Sequence, residues 1–203
     1  MALEIIQFDK PFTVFSREAD KDYLLARMIS FVGGGFEAKA GLLGHQACEK
    51  YMKAVMVQAN ATYAETHKLL ELANFCEPRD AYFGEPETTR ILEQFDIFDQ
   101  IGRYGAAANF DPLAKGGSAG GLTVQIGPGI QAAGLSVWTP KHLSDLDGFV
   151  FKARSLLDFV KAKHNDGLKS ILANDQKSSL IATWKGPWSL QEILTADNAH
   201  FKA

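Results

Sequence analysis

The stretch "GHQACEKYMKAVMVQANATYAETHKLLELAN", Gly44 to Asn74, decides the fold. Its first half carries Ala47, Tyr51, Ala54 and Val55 at steps of three and four, with Leu43 ahead of them and Cys48 and Met52 widening the face. This is the period of a helix buried along one side, and it predicts a helix over about 36–58. His45, Glu49 and Lys53 recur every four residues and stack as one polar stripe, with Glu49 in the favourable orientation to Lys53. After a polar gap, Thr66 reads as the N-cap of a third helix, with His67 in its first turn and Leu69, Leu70, Leu72 and Ala73 as its apolar face. Thr62 with Glu65 forms a rival capping box about a turn earlier.

Upstream, residues 1–15 contain Phe8, Phe12, Val14 and Phe15 and read as an extended arm. A helix capped by Ser16 follows, with Tyr23, Leu24, Ala26, Met28 and Phe31 as its stripe, and Gly33, Gly34 and Gly35 end it. Downstream, Ile91, Phe95, Phe98 and Ile101 mark a fourth helix over about 87–104. The glycine-rich segment 115–138 then offers two β-rich runs, Leu122–Ile126 and Leu135–Trp138, around Gly127-Pro128-Gly129, which predict a small hairpin insertion. Thr139-Pro140 is a cap followed by proline at the first helical position. It opens a fifth helix expected to reach about His164, with Leu143, Leu146, Val150, Ala153, Leu157 and Val160 along it. Residues 165–203 form an extension, pinned by Trp184 and Trp188, with a last short helix opened by the Ser189 and Glu192 capping box. The fold class is therefore all-α: an antiparallel up-and-down bundle of four to five main helices. The organisation expected is an arm at 1–15, a bundle at 16–164 and a C-terminal extension at 165–203.

The 203 residues suit one domain with an extension. A net charge of -3 gives no whole-chain attraction to nucleic acid or to an anionic membrane. No apolar run approaches the roughly 18 residues that span a bilayer, and the N-terminus makes a poor signal peptide. Two cysteines, Cys48 and Cys76, without a CxxC pattern fit a cytoplasmic chain with reduced thiols. A zinc set from His45, Cys48, His67 and Cys76 is not expected, because Cys48 falls on the apolar face; no metal or cofactor is called for.

With these elements placed, Gln46-Ala47, Glu49-Lys50, Lys53-Ala54 and the Thr66-His67-x-Leu69 helix start resemble the HEPN family of helical domains. Asp22 with Ala26-Arg27 near the start, and Arg103-Tyr104 at the end of the fourth helix, match two further features of that family. The family's usual proline after Arg-Tyr is Gly105 here. The resemblance implies one of three roles: a metal-independent RNase of toxin–antitoxin or defence systems, a partner of a small nucleotidyltransferase, or a stand-alone domain that binds a nucleotide or a protein. The family's RNases carry an arginine followed, after four to six residues, by a histidine, which handles the proton of the ribose 2'-hydroxyl while the arginine stabilises the phosphate. The arginines here, at positions 17, 27, 79, 90, 103 and 154, have no histidine at that distance. The expectation is a non-catalytic domain that forms a homodimer and binds a nucleotide or a partner protein. The alternative is an RNase with a non-standard site, using His45 or His67 with Arg103. RNA as a substrate is left open.

The candidate binding residues are His45, Glu49, Lys50, Lys53, His67, Arg103 and Tyr104, and no catalytic residue is assigned. The His45, Glu49 and Lys53 stripe could line a groove, or it could face solvent or a second subunit, as helix surfaces do by default. His67 could meet a phosphate at a helix N-terminus, or pack beside a cap. Arg103 and Tyr104 could read a base and a phosphate, or close the end of a helix. The "GGSAGG" run lacks the order of a phosphate-binding loop and reads as a linker to the hairpin.

Overall fold

A computed structural model of the chain describes residues 11–32, 36–59, 65–104, 138–157 and 189–201. Within them lie α1 (Pro11–Val32), α2 (Glu37–Gln58), α3 (Leu69–Cys76), a 3-10 turn (Ala81–Gly84), α4 (Pro86–Tyr104), α5 (Pro140–Ser155) and α6 (Leu190–Thr195). No strand occurs among the described residues, so the all-α class holds there. The hairpin expected over 115–138 lies outside them except for Trp138, as do residues 1–10, Trp184 and Trp188.

Three boundaries differ from expectation. The first helix begins at Pro11, not Ser16, and Ser16 is fully buried inside it. Proline costs nothing in a first turn, where its missing N–H has no acceptor, so the phenylalanine-rich segment continues as helix. The third helix begins at Leu69, so Thr66 is not its N-cap. Instead the carboxylate of Asp96, on α4, accepts the Leu69 N–H at 3.1 Å, and the orphan donor is satisfied from another helix. Thr66 donates its hydroxyl to Glu71 and accepts from the Lys68 N–H. The fifth helix stops at Ser155, short of His164. There the Gln58 amide, from the last residue of α2, donates to the Leu156 carbonyl at 2.7 Å and supplies a partner at the helix end.

The expected caps of α5 and α6 are present. Thr139 precedes Pro140, and the Thr139 N–H donates to His142 Nδ1 at 3.0 Å. Ser189 and Glu192 exchange hydrogen bonds in a reciprocal box.

α2 sits against α1 on one side and α4 on the other. Asp20 and Asp22 of α1 meet Tyr51 and Lys50 of α2, so the two helices run antiparallel. The glycines of α2 admit α4: a Cβ on Gly41 would stand 2.4 Å from Phe98 Cγ, and one on Gly44 3.1 Å from the Phe95 ring. Trp138 covers this contact. Its ring centroid lies 5.8 Å from Phe95 and 5.4 Å from Phe98, and its indole N–H donates to Ser30 at 2.8 Å.

Two buried ion pairs join α1 to α5. Arg27 pairs with Asp147, and Asp20 pairs with Arg154. Both sets are seven residues apart, about 10 Å along a helix, with the charges exchanged between the two positions. Antiparallel packing puts opposite charges together; a parallel α5 would oppose Arg27 to Arg154 and Asp20 to Asp147. Tyr23 donates to Asp147 at 2.6 Å, and Tyr51 donates to Asp20. Arg27 also donates to the carbonyls of Ile193 and Ala196, which ties the C-terminal segment to the bundle.

Candidate functional site

The candidate residues on α2 and at the head of α3 come together on one side of the protein, but not as a solvated stripe. His45, Glu49 and Lys53 are all buried. The reason lies on the neighbouring elements: the segment before α3 and the acidic face of α4 cover the stripe, where His67 meets Glu49 and Asp96 meets His45 Nε2, while Lys53 pairs with Glu49 within α2 and His45 Nδ1 stays buried without a hydrogen bond among the described residues.

Glu49 is the centre. Lys53 Nζ donates to its Oε1 at 2.7 Å, and His67 Nδ1 donates to the same oxygen at 3.0 Å. Burial pushes the Glu49 carboxyl upward, but the hydrogen bonds and charges of Lys53 and His67 outweigh it, and the group is held below its ordinary range. It is therefore a carboxylate at neutral pH. The His67 ring is 66 % exposed, and with Nδ1 turned inward the opposite edge, Nε2, is left to solvent. A neutral His67 held this way carries its proton on Nδ1, so Nε2 presents a lone pair outward.

His45, one turn before Glu49, has a different place. Its ring is 1 % exposed. Nε2 lies 3.1 Å from both the His67 carbonyl oxygen and Asp96 Oδ1, and Nδ1 lies 3.6 Å from Asp99 Oδ1. A carbonyl can only accept, so Nε2 carries a proton and is the donor. Lys50, on the adjacent face of α2, pairs with Asp22 of α1. Burial raises the Asp22 carboxyl above its ordinary range despite that lysine. The phosphate position considered at the head of α3 is occupied by an internal anion, since Asp96 already holds the Leu69 N–H.

Arg103 and Tyr104 close α4, and their side chains lie outside what is described. Cys48 is buried, as its place on the apolar face required, and burial pushes its thiol well up. Cys76 is buried as well, and its thiol donates to the Met52 carbonyl. Among the described residues no three His, Cys, Asp or Glu side chains stand together as metal ligands. No described helix is long and apolar enough to cross a membrane.

Asp96 and Asp99 were not among the residues singled out by sequence. Their only signal was two acids three apart within the aromatic stripe of α4, where solvent would not be expected to reach both.

A family model described as HEPN domain matches residues 16–118, just over half of the chain. No curated protein and no solved structure matches.

Proposed function

The chain belongs to the HEPN family, and from that premise we propose that it works as a non-catalytic binding domain whose contact face is the head of α3 with α2 beneath it. One observation carries this reading. The charged motif residues of α2 and the histidine before α3 are paired, Lys50 with Asp22 and Lys53 and His67 with Glu49, and among these the His67 ring is the exposed member. Lysines already neutralised by carboxylates are poorly suited to grip a triphosphate. The face fits a partner that hydrogen-bonds to an imidazole better than one that brings several negative charges. A partner protein is therefore favoured over a nucleotide. A small nucleotidyltransferase and a second copy of the chain are the partners to test first.

The test is co-purification of the full-length protein with the product of the neighbouring coding sequence, with light scattering for self-association and calorimetry against ATP and GTP. His67→Ala is expected to weaken the productive interaction at least tenfold, the equivalent of about 1.4 kcal/mol. Undiminished binding by that variant would refute the assignment of the face.

A second reading is favoured by one feature, an exposed imidazole oriented by an ionised glutamate. Such a group can act as a general base, which supports a metal-independent RNase of non-standard type. Of the two histidines weighed for that role, His45 is enclosed by Asp96 and Asp99, so His67 is the remaining candidate. Cleavage of RNA in the presence of EDTA, lost in His67→Ala, would establish this reading over the first.

A further inference from the structure

The buried histidine has no role as a contact, yet its bonds converge on the residue that has one. α2 grips His67 at two points one turn apart. Glu49 holds the ring through Nδ1, and His45 Nε2 holds the backbone carbonyl at 3.1 Å. The same His45 nitrogen reaches Asp96 Oδ1, which in turn accepts the Leu69 N–H at 3.1 Å. The two ends of the segment 67–69 are thus fixed by one donor and one acceptor that also bond each other. A side chain as exposed as His67 would ordinarily sample several rotamers, and ordering it costs free energy. Here the backbone beneath it is clamped, so the ring can reach Glu49 at smaller entropic cost.

We infer that His45 is a positioning residue for His67: the His45–Asp96 clasp sets the segment 67–69 so that the His67 ring stays on Glu49 with Nε2 facing outward. This rests on the reading of His67 as the contact residue, but its test needs no ligand. A protein in which His67 is well held but is not a contact would pass the test below and show undiminished binding as His67→Ala.

The experiment is ring-nitrogen NMR of the full-length protein at about pH 8, where free imidazoles are neutral, with His67 signals assigned from His67→Ala. The proton ratio between Nδ1 and Nε2 of His67 is the readout. His45→Gln places an amide N–H near the position of Nε2 and is expected to keep the ratio of the native protein. His45→Asn reaches only as far as Nδ1, and His45→Phe has no donor. Both are expected to move the ratio toward Nε2–H by about fivefold, the worth of one partly exposed hydrogen bond, with helical circular dichroism retained. An unmoved ratio in His45→Phe, or a Gln variant no better than Asn, would overturn the assignment. If the Asn and Phe variants do not fold, Asp96→Ser reads the clasp from α4. A shift of at least about twofold is expected there, and an unmoved ratio again overturns it.

Discussion

Removing Asp147 should cost the protein a large share of its stability, and the structure allows the size to be argued. Asp147 is 2 % exposed and Arg27 fully buried. The carboxylate receives Arg27 Nη1 and the Tyr23 hydroxyl. In Asp147→Ala the guanidinium keeps its bonds to the Ile193 and Ala196 carbonyls but loses its counter-charge. Breaking a buried pair by removing one partner costs about 3–5 kcal/mol. The Tyr23 hydroxyl still accepts from Asn198 at 3.0 Å but loses its own acceptor, which adds about 1 kcal/mol. The total, about 4–6 kcal/mol, lowers Tm by roughly 8–24 °C for a chain of this size. Arg27→Leu with Asp147→Leu removes both charges, and apolar replacement of a whole pair is often nearly neutral. Here recovery should be partial, because the Ile193 and Ala196 carbonyls lose their donor. Urea unfolding followed by circular dichroism should therefore rank native protein first, the double variant second and Asp147→Ala last. A cost below about 1 kcal/mol for Asp147→Ala, with an unchanged m-value, would refute the reasoning, because it would mean that water reaches this pair.

Gly41→Ala should destabilise by about 1–3 kcal/mol although alanine is the better helix former, since the new Cβ meets Phe98 Cγ at 2.4 Å. Gly148→Ala in α5 should stabilise by about 0.5–1 kcal/mol, because the nearest atom, His200 Nε2, is 3.4 Å away. Thermal melts of the two check the contrast, and equal signs would contradict it. Glu49 has a folded pKa below its unfolded value, so its contribution is complete above the unfolded carboxyl range and is lost as pH falls through the folded value. The stability gap between native protein and Glu49→Gln should therefore close on acidification, and a gap that widens toward acid would be inconsistent with the lowered carboxyl. Trp138→Ala should cost about 3–5 kcal/mol in urea titration through the void left against Phe95 and Phe98, and a loss under 1 kcal/mol would show that the indole is not part of the core.

What could be read in the sequence is what is encoded locally. α2 and α4 follow from apolar steps of three and four, and the caps of α5 and α6 from residues at fixed offsets. The head of α3 could not be read this way. Its donor is satisfied by Asp96, 27 residues downstream on another helix, so Thr66 looked like the cap. The burial of the polar stripe of α2 could not be read for the same reason. His45, Glu49 and Lys53 have the spacing of a solvated face, and only the folded chain brings Asp96, Asp99 and His67 over them. His45, Glu49, Lys53 and His67 share one network. Their division of labour, one exposed ring and three buried supports, depends on burial that period and charge do not report.

The two ion pairs between α1 and α5 carry this further. Arg27 lies within the segment matched by the family model, and so does Asp20, but their partners Asp147 and Arg154 lie beyond its end at residue 118. The carbonyls that take the remaining Arg27 donors are later still, at Ile193 and Ala196. Buried charges without partners are among the costliest features a fold can contain. Arg27 thus draws its counter-charge from α5 and its carbonyl acceptors from the C-terminal segment, and Asp20 is joined by Arg154 of α5. The buried core likewise continues past the end of the family match, through Leu146, Phe149, Val150 and Ala153. The exchanged order of charges also fixes which way α5 runs and at what register, so its apolar residues Leu146, Phe149, Val150 and Ala153 meet the core rather than solvent.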